Sequence, residues 1–141
     1  MKPWSVFFAV LLLSLLSTAG AAASGREPSQ GEMRAEVAKL VSAAEKLTTL
    51  WPWSSPVPEV AQAAAYGKAI APFLVSILAD DPDSLGESPP EVNWNVQQQV
   101  ALALCKIYGV TEEGGHVYMN RASREQNANV KRFWLRKVYE Q

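Results

Sequence analysis

Apolar residues recur at helical spacing in four blocks along this chain, and proline-rich or polar stretches separate them. In the first block Val37, Leu40, Val41, Ala44, Leu47 and Trp51 share one face, which predicts a helix from about Glu32 to Leu50. Trp51-Pro-Trp-Ser-Ser-Pro-Val-Pro58 stops it and reads as a stiff extended link. A second helix starts near Glu59, with Pro58 suited to the boundary, and reaches Ala79 with a kink expected at Gly67 and Pro72. Within it Ile70, Phe73, Leu74, Ile77 and Leu78 keep the helical rhythm, until Asp80, Asp81 and Pro82 end it. Pro82 to Asn93 is polar and reads as a loop. Trp94 to Tyr108 forms the third helix, on Val96, Val100, Leu104 and Ile107, with Gly109 as the residue that ends it. A last helix begins at Ser123, whose spacing to Gln126 fits a capping box, and turns Val130, Phe133, Trp134 and Val138 inward. The pattern is all-α, with one core.

The two arms from Gly67 to Tyr108 are too apolar to stand alone in water, since burial of each Leu, Ile or Phe is worth roughly 1.5–3 kcal/mol. They gain most by packing on each other. The first arm, with Pro72 inside it, Leu74, Leu78 and then Asp80-Asp81, resembles the first helix of a HEAT-type repeat. The second, with Val96 and then Ala101-Leu-Ala-Leu104, resembles the second helix of such a repeat. The chain departs from that pattern in two places. The loop from Pro82 to Asn93 is longer than the family's tight turn, and Gln97 stands where the family often carries a basic residue. The resemblance implies an α-solenoid module for protein contacts and implies no chemistry. A faint internal echo points the same way: Asn95-Val-Gln-Gln and Lys106-Ile-Tyr return as Asn129-Val-Lys-Arg and Lys137-Val-Tyr. The expected architecture is a short HEAT-like α-solenoid, or an antiparallel bundle, of about four helices.

The N-terminus changes the picture of where this domain works. Lys2 gives a positive start, Val6 to Leu16 is apolar except for Ser14, and Ala21-Ala22-Ala23 supplies small residues for cleavage. Residues 1–23 therefore read as a signal peptide and 24–31 as a flexible lead-in, leaving 32–141 as a single helical domain. The apolar run is shorter than the ~20 residues a membrane span needs, so no span is expected after cleavage. The compartment expected is periplasmic or extracellular. Removing 1–23 from 141 residues leaves 118, enough for one domain. The net charge of −1 offers no overall field for nucleic acid. Cys105 is the one cysteine, so packing rather than an internal disulfide must hold the domain.

Candidate chemistry is sparse. Cys105 and His116 are the one Cys/His pair, but the thiol lies between Leu104 and Ile107 in a helix, where it behaves as a small core group. Zinc fails for lack of ligands. From Asp81 the loop has carboxylates at positions 1 and 3 of a calcium-loop pattern and Gly86 at 6, but Leu85 and Val92 stand where ligands belong. No catalytic residue, metal or cofactor is assigned. Charge is uneven: Arg121, Arg124, Lys131, Arg132, Arg136 and Lys137 crowd the end of the chain, while Asp80 to Glu113 is acidic. The basic helix is either a docking face or a solvated outer face, and Phe133, Trp134 and Leu135 read as its packing residues. Trp51 and Trp53 either grip a partner or plug the end of the helical stack. The function expected is a protein-interaction scaffold or adaptor without catalysis, its contact residues drawn from Trp51, Trp53, Arg124, Lys131, Arg132 and Arg136. The alternative is a small-ligand or lipid carrier with a cavity lined by Phe73, Leu104 and Trp134. The partner expected is another protein of the same exported compartment. The N-terminal mass of the exported product checks the signal: it should start near Ser24, and a start at Met1 would overturn the reading.

Overall fold

A computed structural model describes residues 26–79, 90–112, 116–119 and 124–140. The expected signal peptide, the acidic loop from Asp81 and the Ser123 cap lie outside these residues. The chain divides into two compact units, Met1–Gln30 and Gly31–Gln141, and the hydrophobic core lies in the second. All regular structure among the described residues is helical: α1 (Gln30–Glu45), α2 (Pro58–Ala64), a 3-10 turn (Gly67–Ala69), α3 (Ala71–Val75), α4 (Pro90–Tyr108) and α5 (Arg124–Tyr139).

Helix α1 ends five residues short of its expected limit at Leu50. Past Glu45 the backbone tightens, with Lys46 N–H on the Ala43 carbonyl (3.3 Å) and Leu47 N–H on that of Ala44 (3.1 Å). Thr48 and Thr49, poor helix formers, follow. The segment from Trp51 to Pro58 is not a straight rod. Trp53 and Ser54 both donate backbone N–H groups to the Leu50 carbonyl, at 3.0 and 3.1 Å, so the chain turns there, and the Trp51–Pro52 peptide is cis.

The helix expected from Glu59 to Ala79 is three short pieces. Gly67 causes the first break, because it takes φ +66°, a left-handed value that glycine adopts without penalty. Pro72 causes no break of its own. It sits in the first turn of α3, where its missing N–H has no helical partner to lose. The next helix, α4, starts earlier than expected, at Pro90, and stops as expected at Gly109, which has φ +63°. Val110 N–H then bonds the Cys105 carbonyl at 3.0 Å, the six-to-one closure of a Schellman motif.

Helix α4 lies at the centre. Every residue from Trp94 to Cys105 is buried. Both α2 and α3 pack on it, and α3 also packs on α5. The core joins Val37 and Leu40 of α1, Val60 of α2, Ile70 and Leu74, Val100 and Leu104 of α4, and Val130 and Trp134 of α5. The face read from the sequence in α4 is thus correct but incomplete, because the opposite faces are buried too. In α1, Glu36 is also buried, only 7% exposed; Lys39 Nζ lies 3.5 Å from its carboxylate.

Alanine meets no steric obstacle at Gly109, since nothing lies within 4 Å of the place its methyl group would take. The left-handed backbone alone should then set the cost of Gly109→Ala, at about 1–2 kcal/mol. A urea melt measures it, and an unchanged midpoint would mean that the cap has relaxed.

Candidate functional site

Among the described residues, a run of amides in α4 makes a dense set of side-chain hydrogen bonds to main chain. Asn95, Gln97, Gln98 and Gln99 are all at most 3% exposed. A helix interior leaves their side chains no backbone partner of their own, so they reach outward to irregular segments. Asn95 Nδ2 donates to the Leu47 carbonyl (3.0 Å). Gln98 Oε1 accepts from Trp51 N–H (3.0 Å), while its Nε2 donates to the carbonyls of Trp51 (3.3 Å) and Tyr118 (2.6 Å). Gln99 Oε1 accepts from Val57 N–H (3.0 Å). On another side, Gln97 Nε2 donates to the Ile77 carbonyl (2.9 Å) and Oε1 accepts from Ala79 N–H (2.8 Å).

The same device recurs beyond α4. Asn127 of α5 takes both backbone groups of Met119, donating to the carbonyl (3.0 Å) and accepting from the N–H (3.1 Å). Tyr118 donates its hydroxyl to the Ala79 carbonyl (2.6 Å), and Trp134 Nε1 donates to the His116 carbonyl (2.8 Å). Buried backbone groups must find partners; here side-chain amides supply them for segments that have no ladder or helix to do so. Gln99 Nε2 and Asn95 Oδ1 remain buried without a partner among the described residues.

The residues expected to bear function fall in several places. Trp51 is half-buried against the core and held through both backbone groups by Gln98, so it belongs to the frame. Trp53 is 61% exposed. On α5, Arg132 and Arg136 are exposed, Lys131 is half-buried, and Arg124 begins the helix. Leu135, read from the sequence as a packing residue, points to solvent at 37% exposure, as does Tyr139 at 62%. Leu104 and Trp134 are fully buried in the packed core. Phe73 instead lines a surface groove with Arg34, whose guanidinium lies 5.6 Å from the ring centroid. The three are not brought together around one described cavity. The internal echo also differs in role, since Asn95 is buried while Asn129 is exposed and accepts from Arg132 at 3.4 Å.

Cys105 forms no disulfide and is buried. Burial, and then the negative charge of Glu112, push its thiol up to about 12 from 9.0, so it stays protonated at neutral pH and is a poor nucleophile. His116 has different surroundings. Its ring stacks on Phe133 with centroids 4.1 Å apart, and Phe133 meets Trp134 edge-on at 4.8 Å. Among the described residues, no group of three or more His, Cys, Asp or Glu side chains could hold a metal ion. No helix among them is long and apolar enough to cross a membrane.

A groove of about 590 Å³ opens between the 3-10 turn, the end of α4 and the end of α5. Tyr108 and Phe133 give it aromatic walls, and Lys68, Arg136, Lys137 and Glu140 supply its charge. Lys68 Nζ lies 5.4 Å from the Tyr108 ring centroid, within cation–π range. Sequence reading missed this groove, because Lys68 is remote in sequence from the basic helix and only the fold joins them. It also passed over the amide run, whose signal was present: three consecutive glutamines inside an apolar helix pattern. No protein-family model matches the chain, and no curated protein or solved structure matches it.

Gln98→Leu should strand three backbone groups, two on Trp51 and one on Tyr118. At roughly 1–3 kcal/mol for each buried group left unpaired, a loss of about 3 kcal/mol is expected. Chemical denaturation checks it against Gln62→Leu at an exposed position, which should stay within about 0.5 kcal/mol. A loss below about 1 kcal/mol for Gln98→Leu would show that solvent reaches these groups.

Proposed function

We propose that this protein is an exported, non-catalytic scaffold or adaptor that docks another protein of its compartment on the outer face of α5. The helices are read as a short HEAT-like stack in which the α2–α3 pieces and α4 are the two arms of one repeat. Their mutual packing supports that reading.

The observation that carries the proposal is the composition of the outer face. Arg132, Leu135, Arg136 and Tyr139 lie three and four residues apart, so they share one side of α5, and all four are exposed. Leu135 and Tyr139 leave apolar surface on this face that a partner could bury, at roughly 25 cal/mol per Å². Tyr and Arg are also the residue types enriched where protein interfaces gain most of their energy. Trp53 adds a second exposed aromatic elsewhere on the domain. The signal-like N-terminus supports export. The carrier alternative draws less support, because two of its three cavity residues are packed core.

The test is the native mass of the untagged protein taken from its own exported fraction. A defined complex larger than the monomer is expected, and Leu135→Glu with Tyr139→Glu should disperse it while far-UV circular dichroism stays unchanged. A bare monomer in that fraction, or a complex indifferent to both substitutions, would sink the proposal.

A further inference from the structure

We infer that one water molecule is built into the junction between α4 and the turn that precedes α2, held by Asn95 Oδ1, Gln99 Nε2 and Ser54 Oγ. The inference is independent of the docking reading. It concerns what fastens the turn that carries the exposed Trp53.

Among the described residues, these three side-chain atoms are buried and have no hydrogen-bond partner. The chemistry of their neighbours fixes which end of each amide is left over. The Leu47 carbonyl can only accept, so Asn95 turns its nitrogen toward it (3.0 Å) and keeps its oxygen unmet. The Val57 N–H can only donate, so Gln99 turns its oxygen toward it (3.0 Å) and keeps its nitrogen unmet. Flipping either amide would set donor against donor or acceptor against acceptor. The unmet atoms are therefore one acceptor and one donor, a helical turn apart on the same face of α4. At that spacing the β carbons lie about 5–6 Å from each other.

Ser54 comes from the opposite side. The segment from Leu47 to Val57 is tied along α4 at three places: Leu47 to Asn95, both backbone groups of Trp51 to Gln98, and Val57 to Gln99. Ser54 lies midway in sequence between the second and third ties, and its own N–H is turned back onto the Leu50 carbonyl. Its hydroxyl can both donate and accept.

The three atoms select their occupant. A cation would face the N–H groups of Gln99, an anion would face the oxygen of Asn95, and an apolar group would meet none of them. A small neutral molecule that donates and accepts meets all three. Water does so by donating to Asn95, accepting from Gln99 and bonding the Ser54 hydroxyl, and a buried water typically makes about three such bonds. Two hydrogen bonds in series, each of about 2.8 Å, match the spacing of the two amides. The turn beneath Trp53, whose ring is 61% exposed, is then pinned to α4 between its existing ties as well as at them.

The test is a crystal structure of the purified protein at a resolution that shows ordered water. One water within hydrogen-bond distance of Asn95 Oδ1, Gln99 Nε2 and Ser54 Oγ is expected. A direct bond between Asn95 and Gln99, a Ser54 hydroxyl turned elsewhere, or apolar side chains closing over the two amides would overturn the inference. Amide hydrogen exchange supplies a second readout in solution. Ser54→Ala removes one of the three bonds and should speed exchange of the Val57 N–H about tenfold, as expected for one buried hydrogen bond lost. Ser76→Ala, which removes an exposed hydroxyl bonded to the Phe73 carbonyl, should leave that rate unchanged. Equal rates in the Ser54 variant and the parent protein would overturn the inference.

Discussion

Satisfaction of buried main-chain polar groups is the constraint on which this fold depends. The α2–α3 region is broken by a left-handed glycine, and the segment before it turns where Trp53 and Ser54 bond the Leu50 carbonyl. Such irregular backbone satisfies only part of its N–H and C=O groups internally, and each one buried unmet would cost roughly 1–3 kcal/mol. Gln97 and Gln98 meet this need with both donor and acceptor, Asn95 with its donor and Gln99 with its acceptor, in several directions from one helix. Apolar packing from Val100 and Leu104 then completes what the amides have positioned.

Much of the fold was legible in the sequence, and the reasons are local. The helical spacing of Ile70, Leu74 and Leu78, and of Val96, Val100 and Leu104, placed the core correctly because burial follows periodicity. Gly109 announced the end of α4 because few other residues accept its φ. What the sequence concealed were long-range events. Helix α1 stops at Glu45, and the Leu47 carbonyl just past its end is bound by Asn95, which lies 48 positions away. Glutamines look like surface residues until a loop is brought to them. The groove was equally hidden, since Lys68 meets Arg136 only after the chain has folded back.

The exposed surface and the structural frame divide the polar residues between them. The amides of Asn95, Gln97, Gln98, Gln99 and Asn127 are turned inward and hold main chain; Arg132, Arg136 and Lys137 of α5 and Lys68 of the 3-10 turn are exposed. The tryptophans divide in the same way. Trp134 is core, Trp51 is held against the core through its backbone, and Trp53 stands in solvent. A residue type that reads as one group in the sequence thus has three different physical roles, decided by what each side chain can reach.

The glutamine cluster has an implication for how such a protein can change over generations. A side-chain amide that grips a peptide group does not read the identity of the residue that carries it. Leu47, Val57 and Ile77 are held by their main chains, so other residues of suitable size and backbone preference could take their places without loosening those bonds. The grip itself is less replaceable, because few side chains other than Asn and Gln offer both a donor and an acceptor at that reach. Sequence drift should therefore fall unequally, with the peripheral segments free to diverge around a hub that must stay as it is.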